Sequence, residues 1–357
     1  MQEFDQRDSS VQHMHILILG GGVFLGAAAL QSALARGHAV SVFNRGRSRS
    51  AWPEGVQVLN GDRSADLGAL QGQHWDAVID TCGYVPADVQ KSAEALRGCG
   101  CYLFVSSISV YATTTQVPVR ETDALASFEQ FARDDRNLEH YGPQKAACEA
   151  EVQRVFGARA LIVRPGLIVG PGDRSGRFSY WPWRCMAGGE MLVPAAPAHE
   201  PLQFIDVRDL GEWMIRLLEE NARGVLNATG PLDDGAAPVC DWSALLQTFA
   251  AAVVARGLAP AHGVPVSETF LVEQGIQPWS ELPLWLPAGD PEYAGFNRVD
   301  LSRARAAGLR TRSLRDTVDA VLDEGHPAPD DKRRTGKLTR DKEAQLLSVW
   351  AAVQAGH

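Results

Sequence analysis

The first half of the chain alternates short apolar runs with stretches of helical periodicity. The apolar runs predict six strands at 15–19, 39–43, 56–59, 77–80, 102–106 and 160–164, and the stretches between them predict helices that include 26–36, 86–96 and 144–156. The runs are rich in Ile, Leu and Val without strict alternation, which is typical of strands covered on both faces. Strands that alternate with helices favour a doubly wound, parallel α/β sheet, the Rossmann arrangement.

The second half has a looser pattern, with Gly/Pro-rich and aromatic stretches such as RFSYWPWRCMAGG and PWSELPLWLPAGDPEYAGF. The strand-like LQFIDVRDL leads into a helix predicted over 210–218. We expect a Rossmann domain over 14–175, to which 200–230 return, and a smaller C-terminal substrate lobe of inserted segments over 176–325. Residues 326–357 are predicted to form a charged linker and an amphipathic helix from Thr339.

Composition places the chain among ordinary globular proteins. With 357 residues, 45% of them hydrophobic and 22% charged, it can bury a large core. A net charge of -9 does not favour nucleic acids or anionic membranes as partners. No apolar run reaches the ~18 residues that a membrane span requires. The N-terminal MQEFDQRDSSVQHM lacks the layout of a signal peptide and is left out of the fold prediction. We therefore expect a cytoplasmic protein.

The cysteines and histidines show no metal-ligand spacing. There is no CxxC or HExxH motif, and Cys99 and Cys101 form a CxC where packing is expected. The sequence therefore predicts free thiols and no metal site.

The segment GGGVFLG, residues 20–26, follows the first strand and opens the first helix, as a dinucleotide-binding turn does. Gly20 permits the tight turn and Gly26 allows close packing of the helix on the sheet, but Val23 stands where a middle glycine is usual. A helix N-terminus offers N–H groups to a pyrophosphate. Taken alone, the segment fits a ligand-free β–α turn as well.

Two further segments carry candidate catalytic chemistry. In YGPQK, Tyr141 and Lys145 share one helix face, and Pro143 fits only the first helical turn. A nearby ammonium lowers the pKa of a tyrosine from ~10, as acid–base catalysis requires. FVSSISVY places Ser107 and Ser109 at the carboxyl end of a strand, where ligands of such sheets bind. Surface Tyr–Lys pairs and turn-forming serines are the alternatives.

The order of the glycine turn, SSxxVY, YxxxK, RPGLIVGPGD and FIDVRDL resembles the extended short-chain dehydrogenases/reductases, the NAD-dependent epimerase/dehydratase family, over residues 14–325. GGGVFLG resembles the GGxxxxG turn of an atypical subgroup that lacks the middle glycine and retains the Ser, Tyr and Lys. The resemblance implies that Tyr141 is the acid/base, that Lys145 is its partner and holds the nicotinamide ribose, and that Ser107 hydrogen-bonds the reacting oxygen. A family asparagine that assists catalysis is not identifiable here.

The resemblance also implies cofactor contacts. Cys82 and Gly83 stand where the family's fourth strand meets the cofactor, and Asp62 matches an acidic residue that reaches adenine; a core position and a turn cap are the alternatives for Cys82 and Asp62. The residues predicted to bind the cofactor are Gly20, Gly21, Gly22, Phe24, Leu25, Gly26, Asn44, Arg45, Arg47, Asp62, Cys82, Gly83 and Pro165.

The end of the second strand favours NADP over NAD. NAD-binding proteins place an acidic residue there to accept hydrogen bonds from the ribose. Here Asn44 is uncharged, and Arg45 and Arg47 offer cations to a 2′-phosphate. A solvated basic loop is the alternative.

The reaction is only partly constrained. Family dehydratases carry an Asp–Glu pair where this chain has Ile108 and Ser109, which argues against dehydration. Reversible oxidation of an alcohol needs the fewest groups, so we expect an NADP-dependent oxidoreductase acting on a small molecule. A nucleotide-sugar epimerase with tightly bound cofactor and a non-catalytic nucleotide- or RNA-binding protein are the alternatives, and the acidic charge disfavours RNA.

Substrate contacts are predicted for four residues of the loops and the aromatic stretch: Ser109, Arg174, Arg177 and Trp181. Aromatic side chains would suit a planar or ring-shaped substrate. Packing fits Trp181 equally well. The family resemblance further implies a homodimer.

Overall fold

The computed structural model describes residues 13–47, 51–197, 199–232, 240–325 and 336–355. The described residues pack as two compact units: those up to 106, within 127–163 and within 210–225 form the first, and those within 107–126, within 164–209 and from 226 onward form the second. The chain returns to the first unit over 210–225, and the domain bounds given by the sequence stay a prediction. The start of the chain and most of the predicted linker, residues 326–335, lie outside the described residues.

The strands and helices confirm the alternating pattern predicted for the first half. The strands are β1 (His15–Leu19), β2 (Ala39–Asn44), β3 (Gln57–Asn60), β4 (Ala77–Asp80), β5 (Cys101–Val105), β6 (Ala160–Pro165), β7 (Leu167–Val169), β8 (Glu190–Pro194), β9 (Phe204–Asp206), β10 (Gly224–Ala228) and β11 (His262–Val266). The helices are α1 (Phe24–Ala35), α2 (Pro86–Ala95), α3 (Tyr141–Phe156), α4 (Tyr180–Met186), α5 (Val207–Glu219), α6 (Trp242–Val254), α7 (Glu268–Glu273), α8 (Ser302–Ala306), α9 (Leu314–Asp323) and α10 (Arg340–Ala355).

Seven strands form one sheet in the order β10-β6-β5-β4-β1-β2-β3. The pairs from β6 through β5, β4, β1 and β2 to β3 are parallel. Sequence order reverses at β1, which lies between β2 and β4, and ligands of doubly wound sheets bind outside the carboxyl ends of the strands at such a switch point. The doubly wound α/β prediction is therefore confirmed.

Three helices begin earlier than predicted, each for a local reason. α1 begins at Phe24 because Val23, the N-cap residue, is the last residue in extended backbone. α3 begins at Tyr141, which leaves Pro143 in the first turn, where its missing N–H is harmless. α5 begins at Val207 because the Asp206 carboxylate accepts the Arg208 N–H at 2.8 Å and so caps the helix.

The core of the first unit lies under the middle of the sheet. All five residues of β5 are buried, and the ring of Tyr102 stacks on that of Phe156 in α3 with 4.6 Å between centroids. Val78 of β4 and Val152 of α3 belong to the same cluster and have no exposed surface. The continuous apolar runs are thus strands covered by helices.

The second unit is built around aromatic side chains. β7 pairs with β9 and β8 with β11, both in parallel. Phe178, Trp181, Trp242, Phe249 and Trp285 lie in one buried cluster with these strands. Over the described part of the chain, no helix combines the length and apolar character needed to cross a membrane.

A buried ion pair connects the last helix, α10, to the core of the second unit. Arg184 of α4 donates from Nε to the Glu343 carboxylate at 2.7 Å, and these side chains are 5% and 2% exposed. The other Glu343 oxygen accepts the Leu192 N–H of β8 at 3.0 Å. Both charges are thus compensated inside the core of the second unit.

Replacing Arg184 with Met should be strongly destabilising, because it leaves the Glu343 carboxylate buried without its cation. We expect the free energy of unfolding in urea to fall by about 3–5 kcal/mol. The matched control is Arg315→Ala, which breaks a more exposed i,i+4 pair with Asp319 and should cost no more than about 0.5 kcal/mol. Equal losses from the two substitutions would contradict a special role for burial.

Candidate active site

Gly20 and Gly26, in the segment between β1 and α1, have no room for a side chain. Gly20 adopts φ +104°, and a Cβ on it would lie 2.7 Å from Thr81 Oγ1. A Cβ on Gly26 would lie 2.9 Å from Gly21 Cα. Glycine at these positions therefore lets the start of α1 pack directly on the turn.

The first N–H groups of α1 donate no hydrogen bond within the helix. Val23 is the N-cap residue, with φ -144°, and its side chain makes no capping hydrogen bond. The first helical bond is donated by Ala27 to the Val23 carbonyl at 3.3 Å. The N–H groups of residues 24–26 precede that bond, as those of any first turn do, and form a local positive end. Because Val23 is in extended backbone, the absence of a glycine there creates no backbone strain.

The end of β2 presents hydrogen-bond donors and no carboxylate. Asn44 Oδ1 accepts the Gly46 N–H at 2.6 Å, whereas Asn44 Nδ2 is buried and has no hydrogen-bond partner within the described residues. The Arg45 and Arg47 side chains that follow are exposed. A buried donor without an acceptor is costly, so this position suits a ligand oxygen.

Asp62 caps its own turn in the structure. Its Oδ1 accepts the Ser64 N–H at 3.0 Å and the Ser64 hydroxyl at 2.6 Å. These hydrogen bonds lower the pKa of Asp62 below its usual value. Of the two roles considered for Asp62, the structure shows the turn cap, and the adenine contact stays a prediction.

Beside Asp62 lies a buried ion pair that sequence reasoning missed. Arg63 Nη1 and Nη2 donate to the two oxygens of Asp80, at the end of β4, at 2.8 Å each. The Tyr102 hydroxyl and the Cys82 N–H donate to the same carboxylate at 2.8 and 3.1 Å. Burial alone would raise the pKa of Asp80, but the Arg63 charge and these bonds hold it below its usual value. The available signal was a charged residue ending an apolar strand.

Lys145 is held one helical turn after Tyr141 at the start of α3. Its side chain is 2% exposed, and its ammonium donates to the Gly83 carbonyl at 2.6 Å and to the Val105 carbonyl at 2.7 Å. The ammonium also lies 4.1 Å from the centroid of the Phe104 ring. Burial is the main influence on Lys145 and lowers its pKa below the usual value. The residue is thus a fixed cation next to the β4 turn.

Tyr141 is half-buried and has a second tyrosine beside it. The rings of Tyr141 and Tyr84 are 6.3 Å apart between centroids. Tyr84 is 47% exposed, and the Lys145 ammonium lies 5.4 Å from its ring. Sequence reasoning missed Tyr84, whose position directly after Gly83 was the available signal.

Ser107 and Ser109 form a short turn in the second unit. Ser107 Oγ accepts the Ser109 N–H at 3.1 Å and caps the 3-10 turn Ile108–Val110. The two hydroxyls are 3.1 Å apart. Tyr141 and Lys145 belong to the first unit, so the joint Ser–Tyr–Lys site stays a prediction.

The remaining predicted site residues fall in different environments. Trp181 has no exposed surface, and its indole N–H donates to the Pro283 carbonyl at 2.9 Å, which favours core packing over substrate contact. Arg174 is exposed, and Arg177 lies 5.7 Å from the centroid of the Trp279 ring. Pro165 is buried at the end of β6.

The described cysteine, histidine and acidic side chains do not form a metal site. Among the described residues, no group of three or more His, Cys, Asp or Glu side chains is arranged to hold a metal ion. Cys82 is half-buried and beside the glycine turn, since a Cβ on Gly20 would lie 3.3 Å from its sulfur.

Comparison with known proteins shows a family match and several relatives of the chain. The family model described as the NAD dependent epimerase/dehydratase family matches residues 16–228. The 2'-dehydrokanamycin reductase of Streptomyces kanamyceticus is 28% identical over 224 residues, covering 60% of each chain. The chloroplast stem-loop binding protein of 41 kDa b of Arabidopsis thaliana is 27% identical over 253 residues, 65% of this chain and 64% of the relative. The chain therefore spans less than two thirds of the length of these relatives.

Solved structures share the fold at low identity. The Bordetella bronchiseptica enzyme WbmG in complex with NAD has a TM-score of 0.60 and 18% identity, covering 90% of this chain and 96% of that one. Human epimerase family protein SDR39U1 with NADPH has a TM-score of 0.54 and 19% identity, covering 87% of this chain and 99% of that one. These similarities show that the chain has the same fold as the two proteins.

A methyl group at Gly26 should separate α1 from the turn. We expect Gly26→Ala to lower the free energy of unfolding by about 1–3 kcal/mol through overpacking against Gly21. Urea denaturation measures this, with Gly98→Ala as control because a Cβ there meets nothing within 4 Å. Unchanged stability of Gly26→Ala would show that the turn is looser than described.

Proposed function

The chain belongs to the NAD dependent epimerase/dehydratase family, and we propose that it is an NADP-dependent oxidoreductase that interconverts an alcohol and a carbonyl group. The observation that carries this proposal is the buried Lys145 ammonium, fixed by two backbone carbonyls one turn after Tyr141. A buried cation beside a tyrosine is the arrangement that an acid–base tyrosine requires. The 28% identity with a reductase supports the reaction class.

The residues around the glycine turn fit a dinucleotide. Gly20 and Gly26 let the start of α1 pack closely on the turn, because a Cβ at either position would collide with Thr81 or Gly21, and the start of α1 offers its amides to a pyrophosphate. When bound, the nicotinamide accepts or donates the hydride. The unpartnered Asn44 Nδ2, with Arg45 and Arg47, suits a 2′-phosphate, which supports NADP over NAD. The human relative of the same fold was solved with NADPH.

The proton is handled by residues of this chain. An ammonium has three donors, and two of those on Lys145 go to carbonyls, which leaves the third for a ribose hydroxyl. The Lys145 charge favours the phenolate of Tyr141, which takes the proton of an alcohol during oxidation and returns it to the carbonyl oxygen during reduction. Ser107 then hydrogen-bonds the same substrate oxygen, as the family resemblance implies.

Asn44→Asp should reverse the cofactor preference. The wild-type protein is expected to bind NADPH more tightly than NADH, measured by titrating nicotinamide fluorescence. A carboxylate in place of Asn44 would repel the 2′-phosphate and weaken NADPH binding by roughly tenfold or more. The control Asn221→Asp adds the same charge at an exposed position of the first unit. Tighter NADH binding by the wild-type protein would overturn the NADP assignment.

Tyr141→Phe should strongly reduce turnover while retaining cofactor binding. Loss of the proton donor is expected to lower kcat by ~10²–10⁴. The assay follows NADPH absorbance with a panel of ring-bearing and open-chain ketones, and Tyr293→Phe in the second unit is the matched control. Wild-type turnover by Tyr141→Phe would refute the catalytic role of Tyr141.

Two other results would replace the proposed reaction. Epimerisation of a nucleotide sugar without net NADPH consumption would make the protein an epimerase. Binding of a stem-loop RNA by a protein that binds no nicotinamide cofactor would make it a binding protein.

A further inference from the structure

An ionic network lies directly behind the Lys145 site, and the proposed reaction does not use it. Arg63, in the turn after β3, contacts Asp80 at the end of β4 through its two Nη nitrogens. Arg63 Nη2 also donates to the Ser92 hydroxyl of α2 at 2.6 Å. The Arg63 side chain is 13% exposed and that of Asp80 is fully buried. This one arginine therefore joins three segments of the first unit.

The Asp80 carboxylate is held in a single orientation. Each of its oxygens accepts from Arg63, and each accepts one further bond, from the Cys82 N–H or from the Tyr102 hydroxyl. A planar guanidinium fork fixes both the position and the plane of a carboxylate. Cys82 is thus tied by its backbone to the same anion that Arg63 orients.

The turn that carries Gly83 connects Asp80 with Lys145. Gly83 follows Asp80 by three residues, and its carbonyl accepts from the Lys145 ammonium at 2.6 Å. Gly83 is packed tightly, since a Cβ there would lie 2.5 Å from the Phe104 ring and 3.1 Å from Asp80 Oδ2. We therefore expect a shift of the Asp80 carboxylate to displace the Gly83 carbonyl that holds Lys145.

The charges support the same connection. Asp80 is negative between two buried cations, Arg63 and Lys145. Its charge counteracts the lowering of the Lys145 pKa that burial causes. Removing Arg63 would take away one of the two cations that act on Asp80 and would leave the Cys82 N–H and the Tyr102 hydroxyl as the described donors to its carboxylate.

We propose that Arg63 is a positioning residue of the cofactor site, because it holds, through Asp80 and the Cys82–Gly83 turn, the Lys145 ammonium where it binds NADP(H). This inference rests on the proposed function, since it needs a nicotinamide cofactor at Lys145. In this proposal Arg63 acts on the cofactor through Lys145, since its described hydrogen bonds go to Asp80, Cys82 and Ser92.

A double-mutant cycle on NADPH affinity tests this connection. The dissociation constants of wild type, Arg63→Met, Lys145→Met and the double variant are measured by nicotinamide fluorescence. Arg63→Met and Lys145→Met should each weaken binding roughly tenfold or more, about the effect of one charge-assisted hydrogen bond. The double variant should bind no worse than Lys145→Met, because coupled residues are non-additive. Additive losses would overturn the proposal.

The control separates positioning from stability. Arg184→Met removes a comparably buried arginine from a carboxylate of the second unit, and it should lower the urea midpoint without changing the NADPH dissociation constant. A purely structural Arg63 would behave in the same way, with unchanged affinity in the folded protein. That result would refute the positioning role.

A milder variant covers the case in which Arg63→Met does not fold. Tyr102→Phe removes one hydrogen bond to Asp80 and changes no charge. It should weaken NADPH binding several-fold, and this effect should vanish in the Lys145→Met background. Unchanged affinity would overturn the proposal.

The experiment distinguishes failure of the inference from failure of the proposed function. If the wild-type protein binds no NADPH at all, the proposed function fails as well. If the wild-type protein binds NADPH and Arg63→Met binds it equally well, only the inference about Arg63 fails.

Discussion

The buried ammonium of Lys145 is the constraint around which the first unit is organised. A cation without partners cannot be taken out of water at an acceptable cost in free energy, so its acceptors must be in place as the chain folds. They come from the turn after β4 and from the end of β5, with the Phe104 ring below. These groups meet because β4 and β5 are neighbours in the sheet. The strand order therefore also places the groups that hold Lys145.

Each unit contains a buried arginine–carboxylate ion pair, and the two pairs hold different segments of the chain in place. In the second unit, the pair of Arg184 and Glu343 joins the last helix to the core and has no predicted site residue among its partners. In the first unit, the pair of Arg63 and Asp80 lies against the turn that carries Gly83. Buried ion pairs add little net stability compared with apolar packing, so their value lies in fixing geometry.

Local patterns made much of this molecule predictable. Apolar strands covered on both faces, a glycine turn before a helix and a proline in a first turn all reflect contacts within a few residues, and these predictions were confirmed. The partnership of Arg63 with Asp80 could not be read in this way, because the two residues are 17 positions apart and meet only through the packing of the sheet. The sequence also could not decide between core packing and substrate contact for Trp181. An aromatic run has the same composition in a core as in a binding surface. The Ser107, Tyr141 and Lys145 assignment depends on resemblance, because spacing alone does not distinguish a catalytic pair from a surface pair.

The unpartnered amide nitrogen of Asn44 has a consequence for the lifetime of the protein. A buried donor without an acceptor costs roughly 1–3 kcal/mol, so the fold gives up part of its stability at this position. A ligand oxygen that satisfies the donor would restore that stability and shift the folding equilibrium by mass action. Because proteases cut the transiently opened chain, resistance to degradation would rise and fall with occupancy. The abundance of this protein in a cell would then follow the supply of its own ligand.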